Sequence, residues 1–242
     1  MARQQKQKMK PNDHKPRYAR AEEENNARKV KLVPLNEKQE LYISAIRNYT
    51  QIVSTGYAGT AKTYIPAVIA ANNFLEASAK GLDYHIIITR PIVSVGADLG
   101  YFKGSKDEKY AEWAEPVMDI IRGILGDAKF DIAVKRRLIQ GRPLSTMRGA
   151  SFDNAFIILD EAQNLTTHEL KMFLTRQGKN CKVIVNGDVK QTDLRKGSGL
   201  ATIIDMINKY DMNIPVIEFG VDDIVRSQEC KDWIIAFDKE GI

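Results

Sequence analysis

Three short stretches place reactive side chains where one substrate could meet them. The first, Gly56-Tyr57-Ala58-Gly59-Thr60-Ala61-Lys62-Thr63, has the outline G-x-x-x-x-G-K-[ST], with Ala61 in the second glycine position. The backbone N–H groups of such a loop wrap phosphates, the lysine reaches the β- and γ-phosphates, and the Thr63 hydroxyl is offered to Mg²⁺. The second, FIILDEAQN over 156–164, ends an apolar run in two carboxylates, Asp160 and Glu161. Adjacent carboxylates repel unless a cation or a hydrogen-bond network compensates. A Mg²⁺-nucleotide supplies that cation, with Asp160 holding the metal through water and Glu161 orienting or deprotonating the attacking water. The third, VNGDVKQTD over 185–193, carries Gln191 just beyond a glycine-aspartate pair. A glutamine beside a γ-phosphate can sense it and signal to a moving surface. The plain alternative is a turn built on Asn186-Gly187.

Three further residues are candidates by position. Gln39 precedes the loop, and its amide could pair with an adenine edge through one donor and one acceptor. Arg176 in LTRQG and Arg226 in DDIVRSQ follow the other motifs. Either could stabilise transition-state charge, from its own chain or a neighbour's, and either could be an ordinary surface arginine.

The elements that must hold these groups are legible as alternating runs. LNEKQELYISAIRN has apolar residues at helical spacing, with Asn36 as the N-cap. Continuous apolar runs at 51–56, 85–90, 155–160, 182–187 and 215–220 predict strands buried on both faces of a parallel sheet. Helices are expected at 62–79, 166–177, 197–210 and 222–238, the second opened by a capping box of Thr166 and Glu169. The alternation predicts an α/β doubly wound fold with ligands at the carboxyl ends of the strands. The long stretch between the second and third strands, with a helix near 109–125, predicts an insertion packed on one edge of the sheet. If the helix after the loop already includes Ala61, its φ is negative and alanine carries no backbone strain. The question is then whether its methyl clears the phosphates or the neighbouring strand.

Composition removes several classes of function. No apolar run approaches the length of a membrane span, and the basic N-terminus has no apolar core of a secretory signal. Cys181 and Cys230 form no paired pattern, which points to a reducing, cytoplasmic setting, and His14, His85 and His168 are too scattered for a metal site. The net charge of +5 is concentrated: residues 1–31 carry ten Lys/Arg and four Asp/Glu, so the remainder is −1. This tail has almost no apolar residues and is expected to be disordered alone, serving either as a solubilising arm or as a salt-dependent tether to nucleic acid. The remaining 32–242 form one domain.

The order of loop, Asp-Glu strand and Gln strand marks a RecA-like ATPase core. The stretches LNEKQ, GYAGTAKT, TRP, LGYFKGSKDEKY, MRGASFDNAFIILDEAQN, KMFLTRQG, NGDVKQTDL, GSGL and DDIVRS resemble the successive motifs of the PhoH-like family over about 33–238. That family is related to the single ATPase core of superfamily 1 helicases. The resemblance implies ATP binding and Mg²⁺-dependent hydrolysis, a sheet of order 5-1-4-3-2, and a ring-like homo-oligomer, hexameric by expectation. It also implies a link to RNA or single-stranded DNA and to phosphate starvation. Compact members with a basic tail look like those of bacteriophages, which would place the protein in a bacterial host cytoplasm. The family usually has proline and glycine where Tyr57 and Ala61 stand; the second departure leaves a nucleotide-binding switch with little hydrolysis as the alternative. No nuclease or KH-type domain accompanies the core, so neither activity is expected.

Overall fold

The computed structural model describes residues 29–91, 106–147, 152–191 and 198–240. The expectations for most of the tail, for the segment at 92–105, for 148–151 after the start of the MRG motif, and for 192–197 at the end of NGDVKQTDL and the start of GSGL lie outside these residues. Six parallel strands form one sheet: β1 (Gln51–Gly56), β2 (His85–Thr89), β3 (Ile139–Gly141), β4 (Ala155–Leu159), β5 (Lys182–Asn186) and β6 (Val216–Phe219). Their order is β3-β2-β4-β5-β1-β6. The five strands expected from sequence therefore keep the order 5-1-4-3-2. The short β3, which the sequence reading did not anticipate, adds to the outer edge of β2 through Ile86↔Ile139 and Ile88↔Gly141. It comes from the insertion, as does the unanticipated helix α4 below.

Each strand feeds two apolar layers because successive side chains point to opposite faces. Ile52, Ile86, Ile88, Phe156, Ile158 and Ile184 join one cluster, and Val53, Ile87, Ile157, Leu159, Val183 and Val185 the other. On the first face lie α1 (Glu37–Asn48), α2 (Tyr64–Ala79), α3 (Lys106–Leu125) and α4 (Asp127–Lys135). On the second lie α5 (Thr167–Leu174) and α6 (Gly199–Lys209). Burial on both faces is why these strands read as unbroken apolar runs. A last helix, α7 (Gln228–Glu240), buries none of its residues.

Local sequence sets the helix starts. The Asn36 side chain accepts from Gln39 N at 2.8 Å, and Thr166 with Glu169 completes a reciprocal capping box. The last helix begins later than 222, because Val221–Asp223 makes a 3₁₀ turn and the chain then passes the loop, where Val225 N donates to Gly59 O at 2.9 Å. At the other end of the body, Asn72 on α2 clamps the Val30 backbone through two hydrogen bonds of 3.0 and 2.8 Å, and Lys29 pairs with Glu76. Lys29 and Val30, assigned from sequence to the tail, thus lie against the domain. They do so about 12–18 Å along the helix from its start at the loop.

The start of α6 packs so closely on the turn before α5 that a Cβ at Gly199 would stand 2.6 Å from Leu165 O, Thr166 C and Thr167 N. All three are backbone atoms and cannot rotate away. Gly199→Ala is expected to cost about 1–3 kcal/mol by overpacking, read as a lower urea midpoint with an unchanged slope.

Candidate functional site

The phosphate-loop outline lies between β1 and α2, at the carboxyl end of the sheet. Its turns need positive φ at three positions: Gly56 at 120°, Gly59 at 80° and Ala61 at 69°. At Gly56 no side chain is possible, since a Cβ would stand 2.0 Å from the Phe219 carbonyl oxygen on β6. Ala61 corrects the sequence expectation. The helix begins only after Thr63, so Ala61 is left-handed backbone, the conformation a glycine would adopt without strain. Its methyl packs half-buried against the apolar cluster of the first face.

A buried polar network fixes the back of this loop. Asn186, at the end of β5, donates from Nδ2 to Lys62 O at 2.9 Å. Its Oδ1 lies 2.8 Å from Ser54 Oγ on β1 and 2.7 Å from Tyr42 Oη on α1. Burial pushes the Tyr42 phenol well above its ordinary pKa, so it stays a neutral hydrogen-bonding group. Asn186 is therefore a strand residue holding the loop, and the turn reading of Asn186-Gly187 does not hold. Gln39 works beside it: its Nε2 donates to Thr60 O at 3.4 Å and its Oε1 accepts from Leu35 N at 3.0 Å. The buried Gln39 amide is spent on the chain's own backbone, and the geometry does not present it as an adenine reader.

A cavity of about 400 Å³ opens in front of the loop. It brings together Ala58, Gly59, Thr60, Ala61, Lys62 and Thr63 with Asp160, Glu161, Gln191 and Arg226. Gly56 and Tyr57 begin the loop but do not line the cavity, and neither does Gln39. Arg176 is elsewhere. It sits in the turn after α5, beside Gly178, whose N–H bonds Phe152 O ahead of β4, at the amino end of the sheet. Arg226 lies over Gly59, where a Cβ would meet its Cγ at 2.6 Å.

The charges in the cavity are held under tension. Lys62 Nζ folds back on the carbonyls of Gly56 and Tyr57, and burial lowers its pKa against the pull of Asp188, Asp160 and Glu161. Burial, then the Glu161 charge, raises that of Asp160. Burial raises Asp188 likewise, and its Oδ2 is buried with no hydrogen-bond partner among the described residues. Thr63 Oγ1 donates to Asp160 Oδ1 at 3.0 Å. One hydroxyl and one carboxylate suit a hard cation that takes its other ligands from phosphate and water, as Mg²⁺ does. Among the described residues no group of three acidic, His or Cys side chains could hold a metal alone. The donor set thus fits a metal that arrives with a phosphate ligand.

Two residues outside the sequence-derived site set secure Glu161. Its backbone is left-handed, with φ 55°, and its carboxylate accepts from Arg90 at 3.0 Å on one oxygen and from Gln163 Nε2 at 2.6 Å on the other. Gln163 Oε1 in turn accepts from Asp188 N at 3.0 Å, so one buried amide joins the Glu161 turn to the segment carrying Gln191. The sequence signal for Arg90 was present, as a cation directly after a strand. Tyr57 bonds Asp238 of α7 at 2.7 Å, and Lys190 bridges both at 2.6 and 2.9 Å. Replacing Ala61 by glycine is expected to stabilise the protein by up to about 1 kcal/mol, because relief of left-handed strain exceeds the loss of one half-buried methyl. Urea unfolding of Ala61→Gly checks this.

Comparison with known proteins places the chain in a family. The chain is 39% identical over 206 residues to Protein PhoH of Escherichia coli (strain K12), covering 84% of this chain and 57% of that protein. It is 38% identical over 205 residues to a PhoH-like protein of Bacillus subtilis (strain 168), covering 84% and 63%. The chain thus spans less than two thirds of the length of these relatives. Among solved structures, the HK97 bacteriophage large terminase is similar in fold, with a TM-score of 0.51 at 12% identity over 87% of this chain and 48% of that one. The profile of the PhoH-like protein family matches residues 31–238, and the chain belongs to that family.

Proposed function

We propose that this protein binds ATP and hydrolyses it with Mg²⁺. The observation that carries the reading is the convergence of Lys62, the Thr63–Asp160 pair and Glu161 on one cavity at the strand ends. The loop N–H groups and Lys62 bind the phosphates. Thr63 and Asp160 would hold Mg²⁺, which supplies charge neutralisation for the β- and γ-phosphates. Glu161 orients a water whose oxygen forms the new bond to the γ-phosphorus. The bond to the bridging oxygen breaks, its electron pair leaves with ADP, and the water proton passes by way of Glu161 to the phosphate. Gln191 faces the γ-phosphate end and reports its loss through the Asp188 segment and Gln163 to Glu161. Arg226 contacts the nucleotide within its own chain.

A single core of this kind offers one face to the nucleotide, which supports a homo-oligomer, proposed as a hexameric ring. Arg176 lies at the far end of the sheet, so it acts on nucleotide only in a neighbour's site. The basic residues of the N-terminal stretch suit RNA or single-stranded DNA as the coupled polymer. A second reading rests on the left-handed Ala61 and on a Glu161 whose two oxygens are both engaged: a switch that binds nucleotide and turns over little.

The test is ATP turnover by the purified chain, with and without RNA or single-stranded DNA, alongside its mass in solution. Glu161→Gln is expected to lower kcat by about 10²–10⁴-fold while nucleotide binding persists. Tight binding with no turnover in the unaltered chain establishes the switch instead. Full turnover by a monomer overturns the ring. Removing residues 1–28 is expected to abolish any stimulation by nucleic acid and to flatten its salt dependence; unchanged stimulation overturns the tether.

A further inference from the structure

The cavity is bordered by three cations, Lys62, Arg90 and Arg226, and three carboxylates, Asp160, Glu161 and Asp188. The two arginines stand at opposite flanks. Arg226 lies over Gly59, on the β6 side of the loop. Arg90 directly follows β2, where Thr89 pairs with Leu159 of β4 and Asp160 N donates to Thr89 O at 3.0 Å. Thr63 and Asp160, the pair that would hold the metal, join the loop to the end of β4. A metal held there would neutralise phosphate charge, and a terminal phosphoryl group beside it would lie on the β4 side of the loop, toward Arg90. Arg90 is bound to Glu161 at 3.0 Å with side chains 25% and 38% exposed, a pair open to the cavity rather than sealed from it. Bringing a triphosphate into this balance adds net negative charge, and a planar guanidinium binds phosphate oxygens in the same two-pronged manner as a carboxylate.

We propose that Arg90 is the chain's own ligand for the γ-phosphate, and that its ion pair with Glu161 is exchanged for that contact when a nucleoside triphosphate binds. The exchange performs two tasks at once. It places a cation where charge develops on the transferring phosphoryl group, and it frees one Glu161 oxygen to take the attacking water. A diphosphate lacks the group that draws Arg90 away, so Glu161 stays paired. The inference rests on the ATPase reading and deepens it, since it makes the terminal phosphate the trigger for Glu161.

The experiment measures binding of Mg²⁺ with a slowly hydrolysed β,γ-imido ATP analogue, and of Mg²⁺-ADP, to the full chain and to Arg90→Ala and Arg90→Lys. Arg90→Ala is expected to weaken the triphosphate analogue by about 10–100-fold, the range of one lost charge-assisted contact, and to leave ADP within about twofold. Arg90→Lys, which keeps the charge and loses the fork, is expected to fall between. Steady-state turnover of Arg90→Ala is expected to lose kcat as well as triphosphate affinity. Equal losses for ADP and the analogue in both variants, or no loss in either, overturn the assignment while leaving the ATPase reading standing. Faster turnover in Arg90→Ala also overturns it, making Arg90 only a restraint on Glu161. Failure of the unaltered chain to bind either nucleotide overturns both readings together.

Discussion

The hydrogen bond from Asn186 Nδ2 to the Lys62 carbonyl is the constraint on which the site depends. It ties the middle strands of the sheet to the loop by a group that water cannot reach, since Asn186 is fully buried. A buried amide left without its partner costs far more than a surface hydrogen bond contributes, so the loop is held by the cost of releasing it. Ser54 and Tyr42 share the same oxygen, which makes β1, β5 and α1 one rigid support. Only with the loop so fixed can Ala61 be kept in left-handed backbone. The support is paid for by the core, whose strands bury apolar side chains on both faces.

On this support the site is a set of opposed charges at short range. Lys62 is bent onto carbonyls, Asp160 and Asp188 are buried carboxylates with raised pKa values, and Glu161 is spanned by Arg90 and Gln163. Each contact is a local solution to a charge whose proposed counterpart is a phosphate or a metal. Such arrangements cost stability and are found where a ligand is to be gripped. The chemistry is therefore visible in what the side chains do to one another.

Much of this was legible in the chain. The five apolar runs became five strands, because burial on both faces leaves a continuous pattern that few other structures produce, and their order is the one the family resemblance implied. Asn36 and Thr166 announced their helices through capping chemistry that acts over three residues. What failed depended on distance in sequence. β3 is three residues long and owes its conformation to the edge of β2. The Gln39 amide could not be assigned because its acceptor, Thr60 O, is fixed by the loop fold. The backbone at Ala61 was misjudged because the start of α2 is set by the loop's turns, which residue type alone does not report. Gln163 sat in plain view within DEAQN, yet its role exists only once β5 brings the Asp188 N–H alongside.

The C-terminal helix α7 is held at the surface. None of its residues is buried, Trp233 is 65% exposed and stacks on Phe237, and Tyr57, Lys190 and Asp238 tether it through surface polar contacts. It has little hydrophobic anchorage, so it belongs to the part of the molecule that opens at the smallest free energy and is loosened by added salt. Yet the segment leading into it carries Val225, bonded to Gly59, and Arg226, lying over that same glycine. Order at the phosphate loop and order in this helix are thus thermodynamically linked. The coupling acts equally in both directions, so whatever grips the exposed aromatic pair bears on the loop.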